Sequence, residues 1–209
     1  MDFEDAELYR DITGFAHDTP TWVQHTAETG TDAGLLLFAA LFVITWWRAR
    51  RGTPRAFAIA ALAPVATGLA YLCSELLKSV VTQERPCRAV PGATAALSSC
   101  PPPGDWSFPS NHATIAGAAA VALALTGRAL LWLTAPSALL LAFSRVFVGV
   151  HYPHDVVAGL ALGALVAMSA VRLAAHPATR LVEAMRTASA PAFVRWLTGQ
   201  GESRSPYRP

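Results

Sequence analysis

Charge is scarce in this sequence. Only 14% of its 209 residues are charged and 53% are hydrophobic, against about 25% charged in a soluble domain. The shortfall argues against an ordinary soluble domain and rules out a disordered chain. An excess of one sign is missing too. Sixteen Lys+Arg against fourteen Asp+Glu leave +2, too little for the electrostatic footprint of a nucleic-acid binder. Three cysteines are too few for a disulfide-built miniprotein. The N-terminus lacks the basic region of a signal peptide, since it begins MDFEDAELYRD. Lysine occurs once, at Lys78. That residue is either a chance survivor that snorkels from a helix end or a position needing a compact, flexible charge.

What is present is long uncharged sequence. Five runs carry no charged side chain: residues 33–47, 56–73, 113–127, 129–144 and 156–171. Each is borderline against the roughly 17 to 25 residues of a membrane-crossing helix, and a buried soluble helix is the plainer reading. Periodicity decides. A soluble surface helix shows water a polar stripe every 3.6 residues, yet the only polar side chain in VVAGLALGALVAMSAV (156–171) is Ser169. Five helices apolar all round cannot all hide inside so short a chain. The expected fold is all-α: an integral membrane bundle of about five spans, with polar end residues adding a turn to each. Pro64 and Pro136 fall inside spans and are expected to kink them. Gly159 and Gly163 have the spacing that lets helix backbones approach, but small residues are common in so alanine-rich a chain, and that plainer account is preferred.

Residues 1–32 hold eight of the fourteen acids and one strong base, Arg10. They read as an interfacial segment, with Phe3, Leu8, Ile12 and Phe15 loosely on one helical side and a break at Pro20. A membrane domain over 33–175 and a basic tail over 176–209 follow. The tail includes a candidate surface helix over 179–197 and a frayed end from residue 199. Arg48, Arg50, Arg51 and Arg55, then Arg128, then the tail arginines share one side if all five runs span. The positive-inside rule makes that side cytoplasmic. Trp22, Trp46, Trp47 and Trp106 suit interfacial anchoring. His17, His25 and His176 read as surface residues.

On the opposite, outward side four helix ends meet. They bring Glu75, Lys78 and Arg85; Ser110, Asn111 and His112; Ser144 and Arg145; and His151, His154 and Asp155. Two arginines and a lysine match a phosphoryl group, the arginines offering bidentate bonds. PSNH resembles a helix start with Ser110 as N-cap, whose free amides form a second anion site. His151 and Asp155, four apart, can pair along a helical turn or across a turn leading into one, and His112 can protonate a leaving oxygen.

Three segments then become specific. KSVVTQERP (78–86) fits K-x6-R-P, PSNH (109–112) resembles P-S-G-H, and SRVFVGVHYPHD (144–155) fits S-R-x5-H-x3-D. In this order they resemble the signature of the type 2 phosphatidic acid phosphatase superfamily. The resemblance implies that Lys78, Arg85 and Arg145 bind phosphoryl oxygens with help from Ser110 and the Asn111 amide. It implies that His151 attacks phosphorus to form a phosphohistidine, that Asp155 orients His151, and that His112 protonates the leaving group and then activates water. It implies no metal and no cofactor. Asn111 stands where the pattern most often has Gly; if the backbone there needs positive φ, Asn is the next best tolerated residue. Membrane members commonly have six spans, and the acidic N-terminus stands in for the first.

The leading expectation is a membrane phosphatase acting on a lipid phosphate or diphosphate at the outer membrane–water interface, undecaprenyl diphosphate first. Phosphatidic acid, phosphatidylglycerol phosphate and a polyprenyl-linked sugar phosphate are alternatives. Partners are that lipid and the surrounding membrane lipids, not nucleic acid. A zinc site on His112, His151, His154 and Asp155 is disfavoured by three cations at the same mouth. A transporter is disfavoured because no ionisable residue lies mid-span. Beside the active pair, His154 reads as a helix-start histidine facing solvent, and Glu75 as an ion-pair partner of Lys78. Cys87 and Cys100 share one outer loop and are either bonded, which would contribute about 3 kcal/mol by loop closure, or two free thiols. Cys73 packs inside a span.

Overall fold

The computed structural model describes residues 3–187 and 190–199. The frayed end expected from residue 199, with Arg204 and Arg208, lies outside them apart from Gly199. All regular structure among the described residues is helical. In chain order come α1 (Phe3–Asp18), α2 (Thr21–Ala49), α3 (Pro54–Val80), the single turn α4 (Pro86–Ala89), α5 (Asn111–Thr126), α6 (Leu131–Phe147), α7 (Pro153–Met185) and α8 (Ala192–Thr198). A 3₁₀ turn, Arg128–Leu130, joins α5 to α6.

Four helical stretches are long and apolar enough to cross a bilayer: Thr21–Ala49, Pro54–Val80, Arg128–Phe147 and Pro153–Met185. The expected third span, α5, has only 16 residues, about 24 Å of helix. It tolerates this because it is the hub. It packs against α2, α3, α6 and α7, so most of its length meets protein rather than lipid. Its buried face is nearly all Ala, including Ala113, Ala116, Ala118, Ala119, Ala120 and Ala122. Ala63, Ala66 and Ala70 of α3 and Ala167 of α7 meet it on one side. Phe38 and Leu41 of α2 with Ala138 and Leu141 of α6 meet it on another. The outer helix faces show the complementary pattern. Trp132 is 86% exposed and Leu173 80%, a belt that water would penalise at about 25 cal/mol per Å² and hydrocarbon would not.

Small residues set the helix spacing, contrary to the plainer account preferred for the glycines. A Cβ on Gly163 would sit 2.0 Å from the Thr114 carbonyl oxygen, and one on Gly159 2.6 Å from that of Ser110. On α5, a Cβ on Gly117 would sit 2.5 Å from the Leu160 oxygen. The α5–α7 contact is therefore backbone against backbone.

Two boundaries differ from expectation. The helix that carries the first uncharged run starts at Thr21, so residues 21–32 are the polar first part of α2 rather than a segment separate from it. Three of its polar side chains bond locally, the Thr26, Thr29 and Thr31 hydroxyls donating to the carbonyls four residues back, while Asp32 is 87% exposed. At the other end α7 runs unbroken through Pro177 to Met185, across the expected 175/176 boundary. Instead of one helix over 179–197 there is the end of α7 and a separate α8. Arg186 ties these together, donating to the carbonyls of Thr198 and Gly52. The Arg50 guanidinium lies over the rings of Trp47 and Trp196 at 4.5 and 4.7 Å.

The break at Pro20 is present between α1 and α2. The face of α1 turned to the protein is Ala6, Tyr9, Thr13 and Ala16, while Leu8 and Phe15 are exposed. The Tyr9 hydroxyl donates to the Gly149 carbonyl at 2.8 Å, Arg10 donates to the Pro91 carbonyl, and His17 meets the Ala95 carbonyl at 2.6 Å. Rather than a free surface residue, His17 is part of this clamp. Cys87 and Cys100 are bonded to each other and Cys73 is free.

Candidate active site

The site forms where the C-terminal ends of α3 and α6 meet the N-terminal ends of α5 and α7. Helix alternation predicts this meeting, and the packing adds contacts between the ends. The Ser110 amide donates to the Asp155 carbonyl at 3.1 Å, tying the start of α5 to that of α7. The Ser107 amide donates to the Gln83 carbonyl at 2.8 Å, tying the same segment to the chain after α3.

His151 lies in the turn before α7, so the pair is joined across a turn leading into the helix. Pro153 begins α7, and Asp155 at its third position accepts the Tyr152 amide at 2.8 Å. One carboxylate thus caps the helix and faces the imidazole, with Asp155 Oδ2 3.3 Å from His151 Nδ1. On the other side of the ring, Arg85 Nη1 is 3.1 Å from Nε2. Arginine can only donate, so Nε2 holds the lone pair and the proton sits on Nδ1, toward Asp155. His151 is 2% exposed and Asp155 0%. Burial pushes the His151 imidazole down to about 4; the hydrogen bond to Asp155 opposes the shift and the Arg85 charge adds to it. The ring is therefore neutral near pH 7, with a lone pair facing a guanidinium.

The expected cations converge, and the residue joining them was missed. Asp105 Oδ1 lies 2.8 Å from Arg85 Nη2 and 3.5 Å from Lys78 Nζ. Burial pushes the Asp105 carboxyl up, but the hydrogen bond and charge of Arg85 and the charge of Lys78 outweigh it and hold the group below its ordinary value. Glu75 is 3.9 Å from Lys78, the ion pair expected of that spacing. Lys78 and Arg85 are 7% and 4% exposed. Arg145 shares its electrostatic surroundings with Arg85, Asp32 and Asp105, and its charge also reaches His112. Arg145 Nε and Ser110 Oγ are buried without a hydrogen-bond partner in the protein. A buried guanidinium nitrogen and a buried hydroxyl, both without partners, suit an oxyanion with several acceptor lone pairs.

Ser110 stands at the N-cap of α5, but its side chain makes no capping bond, which leaves the hydroxyl available. Asn111 opens the helix, and no non-glycine residue among those described has positive φ. Backbone need therefore does not explain its departure from glycine; side-chain bonding does. The Asn111 amide donates to Glu75 Oε1, and its oxygen accepts from Ser74 Oγ at 2.7 Å, pinning α5 to α3. His112 Nε2 faces Asp32 of α2 at 3.4 Å.

Two further residues differ from or escaped expectation. Ser107 is fully buried; its hydroxyl donates to Asp155 Oδ2 and lies 3.4 Å from His151 Nδ1. A serine three residues before Ser110 gave no signal of its own, because only the cross-chain approach to Asp155 makes it significant. His154 is not simply solvent-facing. Its ring stacks on Tyr152 at 5.4 Å and its nitrogens lie 3.0 Å from Asp5 and 3.2 Å from Asp155. Among the described residues, no three of His, Cys, Asp and Glu converge as metal ligands.

Known proteins share this plan. A family model described as the PAP2 superfamily matches residues 59–176. An undecaprenyl-diphosphatase of Sulfolobus acidocaldarius is 37% identical over 118 residues, 56% of either chain. A decaprenylphosphoryl-5-phosphoribose phosphatase of Mycobacterium tuberculosis is 41% identical over 100 residues, 47% of this chain and 51% of that one. The chain thus spans about half the length of these curated relatives. A crystal structure of a transmembrane PAP2-type phosphatidylglycerolphosphate phosphatase from Bacillus subtilis superposes with a TM-score of 0.59 at 21% identity, covering 82% of this chain and 87% of that one. That likeness is one of fold. Four long apolar helices and a transmembrane fold neighbour make this a multi-pass membrane protein. Because the family match covers more than half of the 209 residues, the chain belongs to the PAP2 superfamily.

Proposed function

We propose that the protein is a membrane phosphatase that removes a terminal phosphoryl group from a polyprenyl-linked phosphate, undecaprenyl diphosphate first. The observation that carries this reading is the His151 ring, buried and neutral, with Nδ1 toward Asp155 and Nε2 toward Arg85. In the proposed reaction Lys78, Arg85 and Arg145 hold the phosphoryl oxygens, with the Ser110 hydroxyl and the amides at the start of α5 as further donors. The His151 Nε2 lone pair attacks phosphorus, and the bond from phosphorus to the bridging oxygen breaks with its electron pair going to the lipid phosphate. Asp155 balances the positive imidazole, and Ser107 steadies Asp155. His112 gives a proton to the departing oxygen and later takes one from the water that cleaves the phosphohistidine, releasing orthophosphate. Fixed charges aimed at the transferring group supply most of the acceleration. No step calls on a metal.

The substrate assignment draws on the names of the similar proteins, two of which handle polyprenyl-linked phosphates. The decaprenylphosphoryl-5-phosphoribose phosphatase match favours a polyprenyl sugar phosphate as the second reading. Arginines 48, 50, 51, 55 and 128 sit at the end of the bundle opposite the site. By the positive-inside rule the active site then faces the extracytoplasmic side.

The test is orthophosphate release by purified protein in the presence of chelator. The panel is undecaprenyl diphosphate, a decaprenyl phosphoribose phosphate, phosphatidic acid and phosphatidylglycerol phosphate. Release from the polyprenyl substrates, abolished by His151→Ala in a protein that still folds, is expected. Full activity in that variant removes the nucleophile assignment, and activity on phosphatidic acid alone removes the substrate class.

A further inference from the structure

Lys78 and Arg85 already hold an anion that belongs to the protein. Asp105 comes from the loop after Cys100 and places Oδ1 2.8 Å from Arg85 Nη2 and 3.5 Å from Lys78 Nζ. These are two of the cations to which the proposed function gives the phosphoryl group. Arg85 would remain placed without that carboxylate. Its Nε donates to the Asp105 backbone carbonyl at 2.9 Å, and its Nη1 lies 3.0 Å from the Val150 carbonyl and 3.1 Å from His151 Nε2. Only Nη2 is given to the Asp105 side chain. The surrounding backbone is tied down, since the Asp105 amide donates to the Pro102 carbonyl and the Ser107 amide to the Gln83 carbonyl. The side chain, however, is 44% exposed, so it can turn toward water without unpacking anything. A phosphoryl oxygen that takes these buried donors meets the Asp105 carboxylate at contact distance, and the two like charges repel.

We propose that the Asp105 carboxylate is a built-in competitor for phosphate: it neutralises Lys78 and Arg85, yields them to the incoming phosphoryl group, and returns to help expel the orthophosphate product. The inference rests on the proposed function, because it takes Lys78 and Arg85 as phosphoryl ligands. It makes Asp105 a positioning and selectivity residue, not a catalytic one. Small anions bind weakly because they must displace a carboxylate already in place. A substrate whose polyprenyl chain supplies further binding energy overcomes the same barrier.

The test compares the full-length wild type with Asp105→Asn, which keeps an oxygen for Arg85 Nη2 and removes the charge. Two quantities are read: steady-state hydrolysis of undecaprenyl diphosphate, and competitive inhibition by orthophosphate. The expected result is an inhibition constant for orthophosphate roughly tenfold lower in Asp105→Asn, with the substrate effect falling on KM rather than kcat. Direct calorimetric titration of orthophosphate onto both proteins should show the same gain. An unchanged or weaker orthophosphate affinity in an active variant overturns the inference and leaves the proposed function standing. A collapse of kcat with weakened orthophosphate binding also overturns it, since Asp105 would then be serving to hold Arg85. A wild type that neither hydrolyses any lipid phosphate nor binds orthophosphate removes the proposed function, and this inference with it.

Discussion

Replacing Gly163 by Ala puts one methyl where α7 meets α5. The new Cβ would lie 2.0 Å from the Thr114 carbonyl oxygen and 2.8 Å from the Ala118 nitrogen. Ordinary carbon–oxygen contacts begin at about 3.3 Å, so the helices must part by roughly 1 Å. Both obstructing atoms are backbone, and no side-chain rotation relieves the clash. Overpacking of this kind costs about 1–3 kcal/mol. The larger effect is at a distance. Thr114 is one turn along from Ser110, whose amide bonds the Asp155 carbonyl at 3.1 Å, so parting the helices separates the start of α5, proposed above to bind phosphate, from the His151–Asp155 pair. A misplacement of about 1 Å at a catalytic group is worth about 100-fold in rate. The assay is kcat/KM for phosphate release together with the melting temperature in one detergent. Gly68→Ala in α3 serves as control, because nothing lies within 4 Å of its added Cβ; it should stay within about twofold of wild type. A Gly163→Ala protein with wild-type rate and melting temperature would refute the reasoning, because the site would then not depend on α5–α7 spacing.

Other outcomes follow from the same geometry. Asp155→Asn is expected to lower kcat by roughly 10²-fold or more while orthophosphate still binds; a silent substitution breaks the pairing with His151. Ser107→Ala, which removes one bond to Asp155, should lower kcat by about tenfold and leave KM unchanged; a change in KM alone would place Ser107 in binding instead. Burial holds His151 near 4 in the folded protein, against 6.5 ordinarily. The unfolded chain therefore gains a proton between pH 6.5 and 4 that the native state refuses, so the stability from neutral His151 is intact above 6.5 and lost as pH falls through that window. Urea titrations at pH 7 and pH 5 should show a smaller loss for His151→Ala than for wild type, and equal losses contradict the assignment. Removing the Cys87–Cys100 bond, which closes a separation of 13 residues, should cost about 3 kcal/mol, read as a lower urea midpoint in the Cys87→Ser/Cys100→Ser protein.

Residues 21–32 are helical despite two acids for a physical reason. Glu28 and Asp32 look incompatible with a span, yet a helix continues past the hydrocarbon as long as its polar groups reach water or bond back to its own carbonyls. The three threonines among residues 21–32 that bond back do the latter. The same logic extends α7 to Met185: 33 residues make about 50 Å of helix, well beyond a hydrocarbon core of about 30 Å. Hydropathy marks where lipid begins and ends, not where hydrogen bonding does. His154 misled in the opposite sense. Nothing in HYPHD announces that Asp5, 149 residues upstream on another helix, closes over it; α1 must first dock.

Local order along the chain determined the membrane character, the helical class and the meeting of Lys78, Arg85, Ser110, Arg145, His151 and Asp155 at one end of the bundle. Runs apolar on every face favour hydrocarbon over water, and consecutive spans alternate in direction, so both consequences follow from covalent order and the insolubility of charge in hydrocarbon. Tertiary structure alone decided that Asp105 sits between Lys78 and Arg85, that Ser107 and Arg85 flank the His151–Asp155 pair, that Asn111 ties α5 to α3, and that Gly159 and Gly163 bring backbones into contact. Those relations join residues far apart in the chain. They depend on angstrom-scale helix spacing and on where loops return, quantities that no periodicity or local motif encodes.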